Sequence, residues 1–251
     1  MNRISIVQAV LKQLRAKSYL EIGVSKGHAF LSFDAKQKIA VDPVNLLRVH
    51  PLELSKDNLF LELKKIYRTL RQWTGLEKAE FFEMTSDAFF NQQTRLLSER
   101  KIDVAFIDGL HSYGQALRDV ENSLQFLNPN GVIVLHDCNP ATAAMETPAN
   151  SFAEAAAKKV PGWDNLWCGD VWKVIVNLRS LHKDLDVFVL DCDMGIGIVT
   201  RRKPESTLTF TREQIDRLTY EDLNRDRTRL INLKPTTFFD TFIKSLKISQ
   251  S

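Results

Sequence analysis

The sequence predicts an α/β fold: a mostly parallel sheet, finished by an antiparallel hairpin strand, with helices on both faces. Three observations predict it. Short apolar runs ending in Gly, Asp or Pro alternate with longer segments of helical periodicity, several of these runs carry an acid at the carboxyl end, and two further runs flank a tight turn at Asp193-Met-Gly. A chain of 251 residues that is 44% hydrophobic can bury a substantial core.

Taken in order, Ile6, Val7, Val10, Leu11 and Leu14 recur at helical spacing, and Ser18-Tyr-Leu-Glu-Ile-Gly then reads as a buried strand. Lys38-Ile-Ala-Val-Asp is a second strand, cut off by Pro43, which cannot continue a central ladder. Ser55 to Trp73 reads as an amphipathic helix built on Leu59, Leu63, Ile66, Tyr67 and Leu70, within a helical insertion at about 52–76. Phe81-Phe-Glu-Met is a third strand and Asp87 to Leu97 a helix; Ile102 to Asp108 is a fourth strand, followed by a helix from Ser112. Asn128-Pro-Asn-Gly signals a turn before the fifth strand, Val132-Ile-Val-Leu. Helical stretches at Ser151 to Val160 and Trp172 to Leu178 precede the two hairpin runs, Leu185 to Leu190 and Gly197 to Thr200. The organisation is one sheet domain over 1–203 and a polar, helical C-terminal extension over 204–251, whose apolar cluster is Phe238, Phe239, Phe242 and Ile243. That cluster suits docking on its own domain or on a second copy in a homo-oligomer.

Composition narrows the partners. A net charge of +3 is too slight to attract nucleic acid or a membrane surface, and no run approaches the roughly 20 apolar residues a bilayer span requires. Cys138, Cys168 and Cys192 are odd in number and widely spaced, which fits a cytoplasmic protein better than a disulfide framework.

The turn after the first strand carries the first chemical signal. A dinucleotide-binding turn follows Gly-x-Gly-x-x-Gly so that the backbone can approach a pyrophosphate. Here Glu21-Ile-Gly23-Val-Ser-Lys-Gly27 puts a carboxylate at the strand end, which repels a pyrophosphate and suits a ligand bearing an ammonium and a sulfonium. Asp42, about 20 residues on, falls where an acid accepts hydrogen bonds from a ribose diol. Alternatively, the glycines serve only tight packing and Asp42 only a cap.

Tyr19 to Phe30, Val41-Asp-Pro43, Phe106-Ile-Asp-Gly-Leu-His-Ser-Tyr113 and Gly131 to Asp137 together resemble class I S-adenosylmethionine-dependent methyltransferases. The resemblance covers roughly residues 1 to 200. It is closest to the branch whose fourth strand ends in Ile-Asp-Gly-x-His-x-Tyr, similar to small-molecule and sugar O-methyltransferases related to macrocin O-methyltransferase. It implies a Rossmann-like methyltransferase sheet with S-adenosylmethionine as cofactor. Glu21, Gly23 and Gly27 would contact the methionine end, Asp42 the ribose, and Ser86 and Asp87 would approach the adenine unless they merely cap a helix. Asp108 is counted with this cofactor set.

Methyl transfer to a hydroxyl is an in-line displacement that needs a base near the acceptor. Two strand ends offer candidates, Asp108 with His111 and His136 with Asp137, and histidine titrates near neutrality. His111 or His136 is the expected general base, with Asp108 or Asp137 orienting it. By the resemblance, Asp108 and Asp137 match two oxygen ligands of a divalent cation such as Mg2+. The third position falls on His136 or Cys138, neither of which favours magnesium. Tyr113 and the tryptophans at 163, 167 and 172 are candidates for an acceptor pocket.

The expected function is therefore O-methylation of a small-molecule or carbohydrate hydroxyl. A nucleic-acid amino-methyltransferase would need an Asn/Asp-Pro-Pro-aromatic segment after the fourth strand, where Asp108-Gly-Leu-His stands instead. Two other readings are a non-catalytic binding protein that has kept the fold and a metal-dependent hydroxylase-like relative. The retained acids at four strand ends argue against the first, and the lack of a separate cofactor motif against the second.

Overall fold

The computed structural model describes residues 1–45 and 56–247. In chain order the elements are α1 (Arg3–Leu14), β1 (Ser18–Ile22), β2 (Gln37–Asp42), α2 (Lys56–Trp73), β3 (Lys78–Glu83), α3 (Ser86–Gln92), α4 (Thr94–Arg100), β4 (Ile102–Ile107), α5 (Tyr113–Phe126) and β5 (Leu127–Leu135). They continue with α6 (Phe152–Ala157), α7 (Trp172–Leu181), β6 (Leu185–Leu190), β7 (Ile196–Arg201), α8 (Arg212–Asp216), α9 (Tyr220–Arg225), α10 (Arg227–Ile231), β8 (Leu233–Lys234) and α11 (Phe238–Ser245).

The strands form one sheet in the order β3-β2-β1-β4-β5-β7-β6-β8. From β3 to β5 neighbours run parallel, and β7 enters antiparallel between β5 and β6, as the hairpin pattern predicts. The chain steps outward from β1 to β3 and then returns to β4, so the strand order reverses between β1 and β4. A crevice opens beyond the carboxyl ends of strands at such a switch point.

Alternation along the strands builds two cores. Leu20, Ile22, Ile39, Val41, Ala105 and Ile107 face one side, where α3, α4, α5 and α7 cover them. Tyr19, Ala40, Val104 and Phe106 face the other, covered by α1, a short 3-10 turn at Phe30–Ser32, and α11. This is the period-2 pattern of a sheet buried on both faces.

Several local expectations shift. The Asn128-Pro-Asn-Gly turn lies inside β5: Leu127 pairs with Ile102, the register slips, and pairing resumes at Val104 with Val132. The buried carboxylate of Asp103 holds this bulge by accepting from Asn128 Nδ2 at 2.7 Å. The helix expected from Asp87 to Leu97 is two helices, divided at Gln93.

The most instructive difference concerns α2. Ser55 and the side chain of Leu59 lie outside the described residues, but Leu63, Ile66, Tyr67 and Leu70 point outward, each about half-exposed. The buried contact is made by Arg68, which donates from Nε to the Leu31 carbonyl at 2.9 Å and from Nη1 to Asp34 at 2.6 Å and Glu77 at 2.8 Å. Glu77 also pairs at 3.4 Å with Lys38, a fully buried β2 residue whose Nζ donates to the Phe30 carbonyl at 2.6 Å. Among the described side chains of this helix, an ionic cluster makes the buried contact.

The C-terminal segment packs into both cores. Ile215, Leu223, Leu230 and Ile231 join the first, while Phe239 and Phe242 join the second, with Phe242 edge-on to Phe188 at 5.1 Å. β8 extends the sheet beside β6. Arg227 and Tyr220 grip the segment after β5, donating to the Pro140 carbonyl at 2.8 Å and the Ala141 carbonyl at 2.6 Å. No helix among the described residues is long and apolar enough to cross a membrane.

Candidate functional site

A cavity of about 680 Å³ opens at the carboxyl ends of β1, β2, β4 and β5. Gly23, Asp42, Ser86, Asp108, His111, His136 and Asp137 line it together. Residues spread over more than a hundred positions of sequence thus meet on one wall, because parallel strands deliver their ends to one edge of the sheet.

At the centre, β1 ends in Gly23 with φ of +82°, and a Cβ there would stand 2.0 Å from the Asp108 carbonyl oxygen. Only glycine permits this approach of the two strand ends. Gly27 also has positive φ, and its N–H bonds the Val24 carbonyl at 2.8 Å. The loop leads into the 3-10 turn, so no α-helix N-terminus faces the ligand space here. Asp42 Oδ2 accepts from Val24 and Ser25 N–H at 2.8 and 2.9 Å, and its Oδ1 accepts from Val44 N–H at 2.9 Å. The carboxylate therefore shapes the glycine loop while lining the cavity, with acceptor capacity left on Oδ1.

Glu21 is buried and lies on a smaller cavity of about 170 Å³ beside Gly23 and Asp108. Burial pushes its pKa up to about 8, against the Tyr19 hydroxyl that donates to it and the nearby charge of Lys38. In a low-dielectric setting, a carboxyl in this condition ionises readily only when a cation arrives.

At the far end of the main cavity, Ser86 is buried on the wall with Gln115 and Asp119. Gln115 Nε2 donates to Ser86 Oγ at 3.1 Å and Asp119 Oδ1 at 3.0 Å. Burial raises the Asp119 pKa to about 6. The helix cap expected of Ser86 or Asp87 is made by Thr85 instead, and Asp87 turns to the surface beside Arg118 at 3.4 Å, away from the cavity wall.

The reaction end gathers Asp108, His111, His136 and Asp137. His111 Nδ1 lies 2.9 Å from the Trp167 carbonyl, an acceptor only, so Nδ1 carries a proton and Nε2 faces inward. Nε2 stands 3.1 Å from Asp137 and 3.6 Å from Asp108. Trp167 stacks on the imidazole at 4.8 Å, and a Cβ on Gly169 would strike the His111 carbonyl, so this loop packs closely on both the ring and the backbone of His111. Burial works to lower the His111 pKa, but Asp108 and Asp137 outweigh it and the net direction is upward. Burial likewise opposes the shift of Asp108, which hydrogen bonds to both histidines hold well below the usual carboxylate range.

His136 Nδ1 lies 3.0 Å from Asp137 and 3.3 Å from Asp108. Against burial, these carboxylates and Asp193 push its pKa up to about 12. Arg3 Nη1, 2.9 Å from Nε2, presses the other way, because a guanidinium only donates and the contact is a hydrogen bond only to a neutral ring. In either form Nδ1 carries a proton, close to Asp137 but without a hydrogen bond. His136 therefore presents no free lone pair to the cavity, which separates the two histidines that the sequence leaves equivalent.

Asp108, His111 and Asp137 bring one ligand atom each to within 4.8 Å of one another, and Asp137 Oδ1 is buried without a hydrogen-bond partner among the described residues. One imidazole nitrogen, its partner nitrogen tied to a backbone carbonyl, with two carboxylates fits a divalent cation and leans toward a transition metal over magnesium. The third position is filled by His111; the Cys138 thiol turns instead toward the Leu135 and His136 carbonyls.

Of the aromatic candidates, Trp167 lines the cavity, Trp172 is buried core, Trp163 packs in a satellite cluster, and Tyr113 turns toward α7, accepting from Asn177 at 2.7 Å. Sequence reasoning missed Arg3, Gln115, Asp119 and Asp193. Only Asp193 had a signal, the Asp-Met-Gly turn; Arg3 lies too far along the chain from its partners for any spacing to reveal it.

Residues 20–138 match a family model described as a methyltransferase domain. A search of curated proteins found no match. Among solved structures, an O-methyltransferase from Bacillus cereus in complex with SAH is 13% identical, with a TM-score of 0.47 over 79% of this chain and 80% of that one. The O-methyltransferase TomG from Streptomyces achromogenes, in complex with SAM, is 13% identical, with a TM-score of 0.44 over 78% of each chain. An rRNA methylase from Streptococcus thermophilus is also 13% identical, with a TM-score of 0.40 over 78% of this chain and 94% of that one. At such identities and TM-scores, nothing about cofactor or acceptor passes from these structures to this chain.

Proposed function

We propose, from the match of residues 20–138 to a family model described as a methyltransferase domain, that this chain transfers the methyl group of S-adenosylmethionine to a hydroxyl of a small molecule or carbohydrate. One observation carries the reading: Glu21, Asp42, Asp108 and the His111–Asp137 pair surround the space at the switch point between β1 and β4. Acids at one end suit a cationic cofactor. A histidine at the other suits removal of a hydroxyl proton.

In this reading Asp42 holds the ribose through Oδ1, and Ser86 with Asp119 faces the adenine. Gly23 lets the ends of β1 and β4 close on each other beside the ligand space, and Glu21 and Asp108 attract the methionine ammonium. The acceptor lies against Trp167, its hydroxyl in line with the sulfonium methyl. His111 Nε2 takes the hydroxyl proton as the oxygen–methyl bond forms and the sulfur–methyl bond breaks, leaving S-adenosylhomocysteine. Asp108 and Asp137 stabilise the resulting imidazolium, and His136 Nδ1 stands 3.0 Å from Asp137 Oδ2 on the other side of that carboxylate. A divalent cation, where bound, would be held by Asp108, His111 and Asp137; it would occupy the His111 Nε2 lone pair and would supply acidity to the acceptor hydroxyl in place of that base. The three unpaired cysteines support a reducing, cytoplasmic setting.

Calorimetry with S-adenosylmethionine and S-adenosylhomocysteine tests the central claim. Wild type is expected to bind both, and Asp42→Ala to weaken each by about tenfold or more through loss of charged hydrogen bonds. Absence of binding by the wild type would sink the reading.

A further inference from the structure

We infer that Arg3, at the first turn of α1, receives the α-carboxylate of the cofactor's methionine end, a role that rests on the cofactor reading above. Electrostatics poses the problem it solves. The small cavity beside Gly23 is walled by two carboxylates, Glu21 and Asp108. They suit the ammonium of a bound amino-acid group and repel its carboxylate, and in a partly desolvated space a repulsion at a few ångströms is substantial. A site for the whole zwitterion needs a cation as well.

Arg3 supplies it. It lines both the small cavity holding Glu21 and the main cavity holding His111 and Asp137. Lys26 and His28 also line the small cavity. Arg3 differs from them in being held in place: its backbone N–H donates to Asp193 Oδ2 at 2.7 Å and its Nη1 to Asp193 Oδ1 at 3.2 Å. Asp193 is itself fixed, because the next two residues of its turn, Met194 and Gly195, accept from Asn139 and Cys138 N–H at 2.8 and 3.0 Å.

The guanidinium is not used up by these contacts. Nη1 serves Asp193 and His136, and Nε lies a loose 3.8 Å from Asp108. Nη2 has no hydrogen-bond partner among the described residues, and the side chain is one-third exposed. A pre-positioned guanidinium with a free Nη2, on a cavity that also carries the Glu21 and Asp108 carboxylates, is a receptor for an anionic group of matching planar geometry.

The test compares S-adenosylhomocysteine with its decarboxylated analogue, in which hydrogen replaces the carboxylate, by calorimetry on wild type, Arg3→Met and Arg3→Lys. Wild type is expected to prefer the intact ligand by about ten- to hundredfold, the range of a charged hydrogen bond. Arg3→Met should lose most of that preference by weakening the intact ligand, with the analogue changed less than about threefold, and Arg3→Lys should recover part of it. Thermal melts show whether each variant is folded. A preference that survives in folded Arg3→Met, or an equal loss for both ligands, overturns the Arg3 role and leaves the cofactor reading standing. Failure of wild type to bind either ligand overturns the cofactor reading, and this inference with it.

Discussion

Asp137 Oδ2 lies 3.1 Å from His111 Nε2 and 3.0 Å from His136 Nδ1, so one buried carboxylate joins the two histidines. The imidazoles are not equivalent, because His111 keeps its proton on Nδ1 through the Trp167 carbonyl while Arg3 stands against His136 Nε2. Only His111 can turn a lone pair toward an acceptor.

The same pairing makes His111 hold its proton to higher pH than an ordinary histidine. Histidine NMR titration of chelator-treated protein should show its ring changing charge above the reference value of 6.5, and Asp137→Asn should return it toward that value. Because the folded-state pKa is raised, the stability contributed is full below the unfolded value and lost as pH rises through the folded one. A ring titrating at or below 6.5 in the wild type would refute the assignment.

Glu21 carries a cost in the unliganded protein. Its pKa rises from 4.5 to about 8 mainly through burial, so folding is favoured by the neutral form and stability falls as pH climbs from 4.5 toward 8. Glu21→Gln should therefore melt above the unliganded wild type at pH 8 and little differently at pH 4.5, yet bind S-adenosylmethionine about tenfold or more weakly. A Gln variant that melts lower at pH 8 contradicts the desolvation account.

The ionic dock of α2 is open to a direct test. Glu77 stands between Lys38 at 3.4 Å and Arg68 at 2.8 Å, and all three side chains are buried or nearly so. Glu77→Ala leaves two buried cations without this partner and should cost about 3–5 kcal/mol in denaturant unfolding, far more than an exposed ion pair would. Glu80→Ala offers the comparison, since its pairing with Arg100 is only partly buried. Equal losses in the two variants would mean that burial is not what gives Glu77 its weight.

Much of this protein was determined by the sequence itself. The alternation of apolar runs with helical periodicity, the breakers at Pro43 and Gly109, and the Asp193-Met-Gly turn specify the strands and the hairpin, because backbone geometry couples side-chain period to element type. Acids at strand ends were legible for the same reason: in a parallel sheet, the carboxyl ends share one edge, so Glu21, Asp42, Asp108 and Asp137 had to converge.

Tertiary structure decided what periodicity cannot encode. It turned Leu63, Ile66, Tyr67 and Leu70 of α2 outward and Arg68 inward, onto the buried Lys38–Glu77 pair. It moved the third donor of the Asp108–Asp137 cluster to His111 and brought Arg3 and Asp193 to the reaction end. Such choices depend on direction, tautomer and desolvation, which exist only once residues distant in the chain share a cavity and exclude water from it.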